Sequence, residues 1–331
     1  MIHFTDQDSF AIFQKPEEKK IYICIGSWEE ISDSDNFSRD TFVVNAFDDK
    51  TYKLNGSISL LEQKIKISSS RKADSISTDK EQYIKGINQT INSCKNEKIK
   101  KCIISRIISE EHQIKNYYSF FENIINSYNN GFKYILNHPK FGIWTGVSPE
   151  TLISGDKSKG FYSQALAGSK SLKSNKKWTI KEKEEHKYVV DFIRKVIIKN
   201  GDLLKESNNN EKIAGQIIHL NKDFYFKING KLYPFIKQLH PTPAIAGIPV
   251  KKSLNFIKEI ESHSRELYCG FIGIMTNKNC ELYVNLRCGK ITKNIFQLYV
   301  GGGITEKSNA EEEYLETKIK SQTLLSVIKK M

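Results

Sequence analysis

Over the first sixty positions apolar residues come in short runs broken by polar turns, so 21–25, 41–46 and 52–54 read as strands, with Asp48-Asp49 at a turn. A polar, Ser/Lys-rich joint over 63–78 follows. A helix then starts at a capping box of Thr78 with Glu81 and carries Ile84, Ile87, Ile91 and Cys94 on one stripe. β-Branched content makes 101–108 a strand, 117–128 reads as a helix, and 132–136, 143–147 and 161–166 read as strands, the last after a Ser154-Gly155-Asp156 turn. The longest helical pattern covers 180–199 and stops at Gly201. Strands at 213–220 and 223–228 come next, then a Pro-rich turn over 240–249 and a helix at 253–263. Strands at 271–275, 281–286 and 296–300 precede a last helix from 309 to the end. Strands arrive in runs and hairpins, not as alternating β-α-β units, which predicts α+β with antiparallel sheets and not a doubly wound fold. There are no internal repeats.

Composition narrows the class. The 331 residues are 39 % hydrophobic, enough for a substantial core and too many for intrinsic disorder. No run approaches the roughly 18 apolar residues of a membrane span. The first residues lack the basic start and apolar stretch of a secretory signal. Six cysteines are scattered without C-x-x-C pairs, which argues against zinc and against a disulfide framework and predicts a reducing, cytoplasmic setting. With 51 Lys+Arg against 38 Asp+Glu the net charge is +13, but arginine occurs only at 39, 71, 106, 194, 265 and 287. Lysines are spread along the whole chain, so no nucleic-acid stripe is expected. Such a field suits an anionic small substrate.

Candidate chemistry rests on a few placements. Glu185 shares the apolar stripe of its helix with Val189, Phe192 and Val196, where a carboxylate is costly without a partner. Glu313 and Glu316 are three apart on the last helix and project from one side, with Lys320 and Val327 continuing it. Carboxylates from two helices converging on a cavity suit Mg²⁺; the alternative is an exposed acidic helix start with a Ser308/Glu311 capping box. Gly301-Gly302-Gly303, between a strand and that helix, reads as an anion-binding turn or a plain tight turn, and Ala167-Gly168-Ser169 as a second anion loop. Lys101 at a strand start is either solvated or, if inward, a desolvated amine able to act as a base. Glu150, after Val147-Ser148-Pro149, is either a surface carboxylate or part of a site.

The order of these segments resembles the chorismate-utilising enzymes, which include isochorismate, salicylate, anthranilate and aminodeoxychorismate synthases. The matching stretches are K-C-I-I-S-R at 101–106, G-V-S-P-E at 146–150, A-L-A-G-S at 165–169, E-H at 185–186 and I-H-L at 218–220. They continue with L-H-P-T-P-A-I-A-G-I-P at 239–249, R-E-L-Y-C-G-F-I-G at 265–273, N-L-R-C-G-K at 285–290 and Y-V-G-G-G-I-T-E-K-S-N-A-E-E-E-Y-L-E-T-K-I-K at 299–320. The resemblance implies two large antiparallel β-sheets packed into a core with helices outside. It also implies a chorismate-binding catalytic region over 76–331 and a shortened N-terminal β-rich part of the same domain over 1–75. Glu185 and Glu316 would be Mg²⁺ ligands, with Glu313 helping through water. Arg287, Lys320 and backbone groups at Gly301 and Gly303 would hold the substrate carboxylates, Gly168 and Ser169 would line the ring, and His219 would lie near the ring carboxylate.

Within that family Lys101 matches the water-using branch, where a lysine is the general base; the anthranilate enzyme has glutamine there. The aminodeoxychorismate enzyme has a nucleophilic lysine in the Pro-rich turn, which this chain lacks. The resemblance therefore implies that Lys101 activates water against ring C2 while protonated Glu150 serves the departing C4 hydroxyl. Ala244, where salicylate synthases tend to have threonine, favours stopping at isochorismate; Tyr268 occurs in both kinds. Salicylate synthase and a noncatalytic relative that binds chorismate-like ligands are the alternatives. The chain departs from the family after A-L-A-G, with Ser169-Lys170 and Lys176-Lys177 in place of threonine and an Arg-Gly pair. A monomer is the default expectation, with chorismate as ligand and neither nucleic acid nor membrane as partner. The menaquinone or siderophore destination of the product is set by neighbouring enzymes, not by the site.

Overall fold

A computed structural model describes residues 1–331 except 173 and 176. Among the described residues the strands build two large sheets and one two-stranded ribbon. One sheet runs in the order Gly247–Ile248, Lys101–Glu111, Ile295–Ile304, Cys288–Ile291, Gly142–Ser148, Phe132–His138, Phe10–Gln14, Tyr22–Ile25 and Ile58–Leu60. The other runs Gly201–Glu206, Ile217–Ile228, Gly160–Ser171, Thr151–Asp156, Asn279–Val284, Phe271–Met275, Thr41–Asn45, Thr51–Asn55 and Ser27–Glu30, with Asn210–Ala214 also paired to Ile217–Ile228. All pairings in both are antiparallel. The predicted α+β class is what the chain adopts.

Two-residue periodicity explains how one strand serves two layers. In Phe10–Gln14, Ala11 and Phe13 enter the large core that both sheets share, while Phe10 and Ile12 enter a second core on the opposite face. Trp144, Tyr134 and Leu136 follow the first pair; Ile135, Ile143 and Leu298 follow the second, under the helices Tyr117–Ser127 and Ala310–Ile328. The helix Ile180–Asn200 buries Glu185, His186, Val189, Val190, Ile193 and Ile197; Phe192 and Val196, expected on that stripe, are only partly buried. None of the described helices is long and apolar enough to cross a membrane.

Several local expectations are corrected. Helix Lys80–Lys95 is capped by Asp79, whose carboxylate accepts from Gln82 N–H at 2.7 Å; Thr78 Oγ1 instead accepts from Ile107 N–H. The last helix is capped by Asn309, and Ser308 Oγ accepts from Thr305 N–H, so there is no Ser308/Glu311 box. Residues 217–228 are one strand and not two, and a short helix, Leu232–Leu239, precedes the Pro-rich turn. Gly301–Gly303 is no turn. It lies inside Ile295–Ile304, paired with Ser105, Ile104 and Ile103. Ala167-Gly168-Ser169 is likewise strand, with a register shift that leaves Gly168 at φ +70°. Lys176, part of the altered A-L-A-G segment, lies outside the described residues.

Candidate active site

Ten sequence-distant segments converge on one cavity of about 740 Å³, measured with its mouth. The first strand of the glycine-rich pair contributes Lys101, buried at its very start; the second contributes Gly301 and Gly303. The other sheet contributes Gly168, Ser169 and His219, and the 149–150 corner contributes Glu150. Ala244, Tyr268 and Arg287 come from irregular segments, and helices bring Glu185, Glu316 and Lys320. Every residue singled out from the sequence lines this cavity except Glu313, which stands behind Gly302, where an added Cβ would lie 3.4 Å from its Oε2.

Neither Lys101 nor Glu150 is solvated, so the surface readings of both fail. Lys101 is 1 % exposed, and its Nζ lies 3.4 Å from Glu185 Oε2. Burial drives its pKa below the ordinary lysine value, against the pull of Glu185 and with help from Lys181 and Lys320. Glu150 is 3 % exposed; burial pushes its carboxyl up to about 8, against Lys212 and Lys101. The pair is therefore shifted in opposite senses, toward a neutral amine and a neutral acid.

The carboxylate corner is tightly built. Glu316 accepts from Ser169 Oγ at 2.7 Å and pairs with Lys320 at 2.6 Å. Burial alone would raise its pKa; Lys320, Lys181 and Ser169 outweigh it and keep Glu316 ionised. Glu313 is shifted upward, chiefly by burial and also by the Glu316 and Glu185 charges. Gly303 carries no side chain where a Cβ would fall 2.7 Å from Glu185 Oε2 and 2.8 Å from Lys101 Cε, so a larger residue there would displace one of the two side chains. A Cβ at Gly168 would meet the Glu182 carbonyl at 2.9 Å.

The donor set fits a hard divalent cation: three carboxylates from two helices, against a strand stripped of side chains. Among the described residues no three such side chains already stand as a closed ligand cluster. Lys181, which sequence reading missed, stands between Glu185 and Glu313. Its ammonium sits 2.5 Å from Glu313 Oε1 and 3.2 Å from Glu185 Oε1. The one signal was its position four before Glu185, on the same helix face.

The anion-facing side is just as defined. Arg287 is held at φ +48°, donates from Nη1 to the Lys320 carbonyl at 3.2 Å, and makes no salt bridge among the described residues. Lys320 Nζ donates to the Gly301 carbonyl at 2.9 Å, so that backbone oxygen is already engaged. His219 is kept neutral, its pKa pushed down to about 3 by burial and by Arg287 and Lys320. Its Nδ1 lies 3.1 Å from the Gly168 carbonyl, which can only accept, so Nδ1 carries the hydrogen and Nε2 a lone pair. Tyr268 stacks on Tyr299 with centroids 5.8 Å apart.

Comparison with known proteins gives the family. Isochorismate synthase EntC of Escherichia coli K12 is 30 % identical over 200 residues, 56 % of this chain and 51 % of that protein. Isochorismate synthase MenF of Bacillus subtilis is 32 % identical over 205 residues, 56 % of this chain and 42 % of that protein. The chain thus spans about half the length of the curated relatives it matches. The solved structure of MenF, the menaquinone-specific isochorismate synthase from Escherichia coli, shares the fold with a TM-score of 0.78 at 19 % identity, covering 97 % of this chain and 88 % of that one. The family described as chorismate binding enzyme matches residues 38–329, nearly the whole chain, and the protein belongs to that family.

Proposed function

We propose that the protein is an isochorismate synthase, an isomerase that exchanges the C4 hydroxyl of chorismate for a C2 hydroxyl taken from water. The observation that carries this is the pair Lys101 and Glu150, buried on one cavity with opposed pKa shifts. Neutral Lys101 takes a proton from water as its oxygen bonds to C2. Glu150 gives its proton to the C4 oxygen, which leaves as water as the C4–O bond breaks and both ring double bonds move, C1=C2 to C1=C6 and C5=C6 to C4=C5. Lys101 ends protonated and Glu150 ionised, and return of one proton from the first to the second resets the site. Arg287, without a salt bridge among the described residues, and Lys320 hold the substrate carboxylates; Gly168, Ser169, Ala244 and Tyr268 shape the ring pocket. Neutral His219 accepts a hydrogen bond through Nε2.

Mg²⁺, where bound, would be held by Glu185 and Glu316 with Glu313 through water, and would supply charge neutralisation and orientation for the ring carboxylate. A cytoplasmic monomer acting on chorismate completes the reading. The names of the relatives, isochorismate synthases in each case, support it over the alternatives.

Purified protein given chorismate and Mg²⁺, followed with and without a coupled isochorismatase, tests the proposal. Isochorismate is the expected product. Salicylate and pyruvate formed without the coupling enzyme would make the protein a salicylate synthase, and chorismate binding with no turnover would make it a noncatalytic relative. In the same assay kcat/KM should fall at alkaline pH as Glu150 loses its proton through about 8, and at acid pH as Lys101 gains one. A rate that stays level well above that upper value would remove Glu150 as the acid.

A further inference from the structure

Lys181 has no part in the chemistry above, yet it stands at the centre of the carboxylate corner. Its side chain is 18 % exposed, and it bridges Glu185 on its own helix and Glu313 on the last one. Those are two of the three carboxylates assigned to the divalent ion. Its ammonium lies 2.5 Å from Glu313 Oε1 and 3.2 Å from Glu185 Oε1, which puts a positive charge between the two helices. Three carboxylates brought together from Ile180–Asn200 and Ala310–Ile328 would repel one another without a cation between them. Lys181 is also free to leave: it is the second residue of its helix and its side chain reaches solvent in part.

We propose that Lys181 is a built-in counter-ion of the metal site, its ammonium bridging Glu185 and Glu313 when no divalent cation is bound and giving way when one enters. The proposal rests on the metal reading given under Proposed function. It means that the metal-free protein is already assembled at this corner. It also means that a divalent ion must break two ion pairs to reach Glu185 and Glu313, then share the corner with a displaced positive charge.

Mg²⁺ titration of the full chain after EDTA treatment, without substrate and at mildly alkaline pH, measures this by calorimetry and by thermal shift. Lys181→Met keeps the length of the side chain and removes its charge. It is expected to bind Mg²⁺ about tenfold tighter or more than wild type. It should melt below wild type in EDTA, and saturating Mg²⁺ should close that gap. Lys181→Arg keeps the charge and is expected to bind Mg²⁺ no tighter than wild type. Should the Met variant not fold, Lys181→Gln takes the same two measurements. Mg²⁺ binding to wild type with no gain in the uncharged variant, or a melting deficit that persists at saturating Mg²⁺, would overturn the counter-ion role alone. No Mg²⁺ binding to wild type, with chorismate or without it, would overturn the metal reading and the counter-ion with it.

Discussion

Lys101→Ala is expected to lower kcat by about a thousandfold or more while chorismate still binds, since general-base catalysis contributes on that scale. Burial shifts this amine toward the neutral form, which can accept a proton. Its removal leaves Glu185 paired to Lys181 at 3.2 Å, so no bare carboxylate is left to unfold the corner. Single-turnover rates and equilibrium binding of chorismate, measured on the same variant, separate the two effects. Near-normal turnover would mean that another group activates the water.

Glu150→Gln is expected to lose turnover on a similar scale, about a thousandfold, because the amide has the shape of the acid but no transferable proton. It should also gain stability, and the gain depends on pH. The carboxyl titrates near 4.5 when unperturbed and at about 8 in the folded protein. Between those values the native state holds a proton that the unfolded chain has released, so wild-type stability declines as pH rises through that window and levels off above it. Glutamine has no such titration. The Tm difference between variant and wild type should therefore grow from acid toward pH 8 and then stay constant. A variant that is inactive but tougher at alkaline pH would separate a chemical role for Glu150 from a structural one. A variant less stable than wild type across the range would point to structure instead.

The sequence discloses this molecule unevenly, for identifiable reasons. Phe271–Met275 is legible to the residue because an apolar run bounded by polar turns has one reading. The long helix is legible because its helical pattern is sustained and Gly201 marks its end; the Thr179 N–H that donates to Glu182 at its start is seen only in the structure. Gly301–Gly303 is not, since local glycine content cannot distinguish a turn from a strand whose partner, Ile103–Ser105, lies far back in the chain. Residues 221–222 read as a break between two strands; in the sheet the Asn221 amide donates to Asp223 and to Asn210, so the strand passes straight through. Lys181 escapes a reading of the sequence because its nearest partner, Glu313, belongs to another helix. Lys101, Glu150, Glu185 and Glu316 stand out singly by their placement, but only the family resemblance joins them, with His219, Ala244, Tyr268 and Arg287, into one site. Burial, which decides the character of Lys101 and Glu150, is a property of the assembled sheets.

The N-terminal strands have a practical bearing on any attempt to trim the protein. Phe10–Gln14 zips onto Phe132–His138 in one sheet, and Thr41–Asn45 onto Phe271–Met275 in the other. Cutting the chain near residue 75 would strip both, baring two raw, apolar selvedges at once, and naked β-edges recruit further copies of themselves. The leading segment is thus the hem of both fabrics, and a minimal catalytic fragment would be sticky before it was ever inactive.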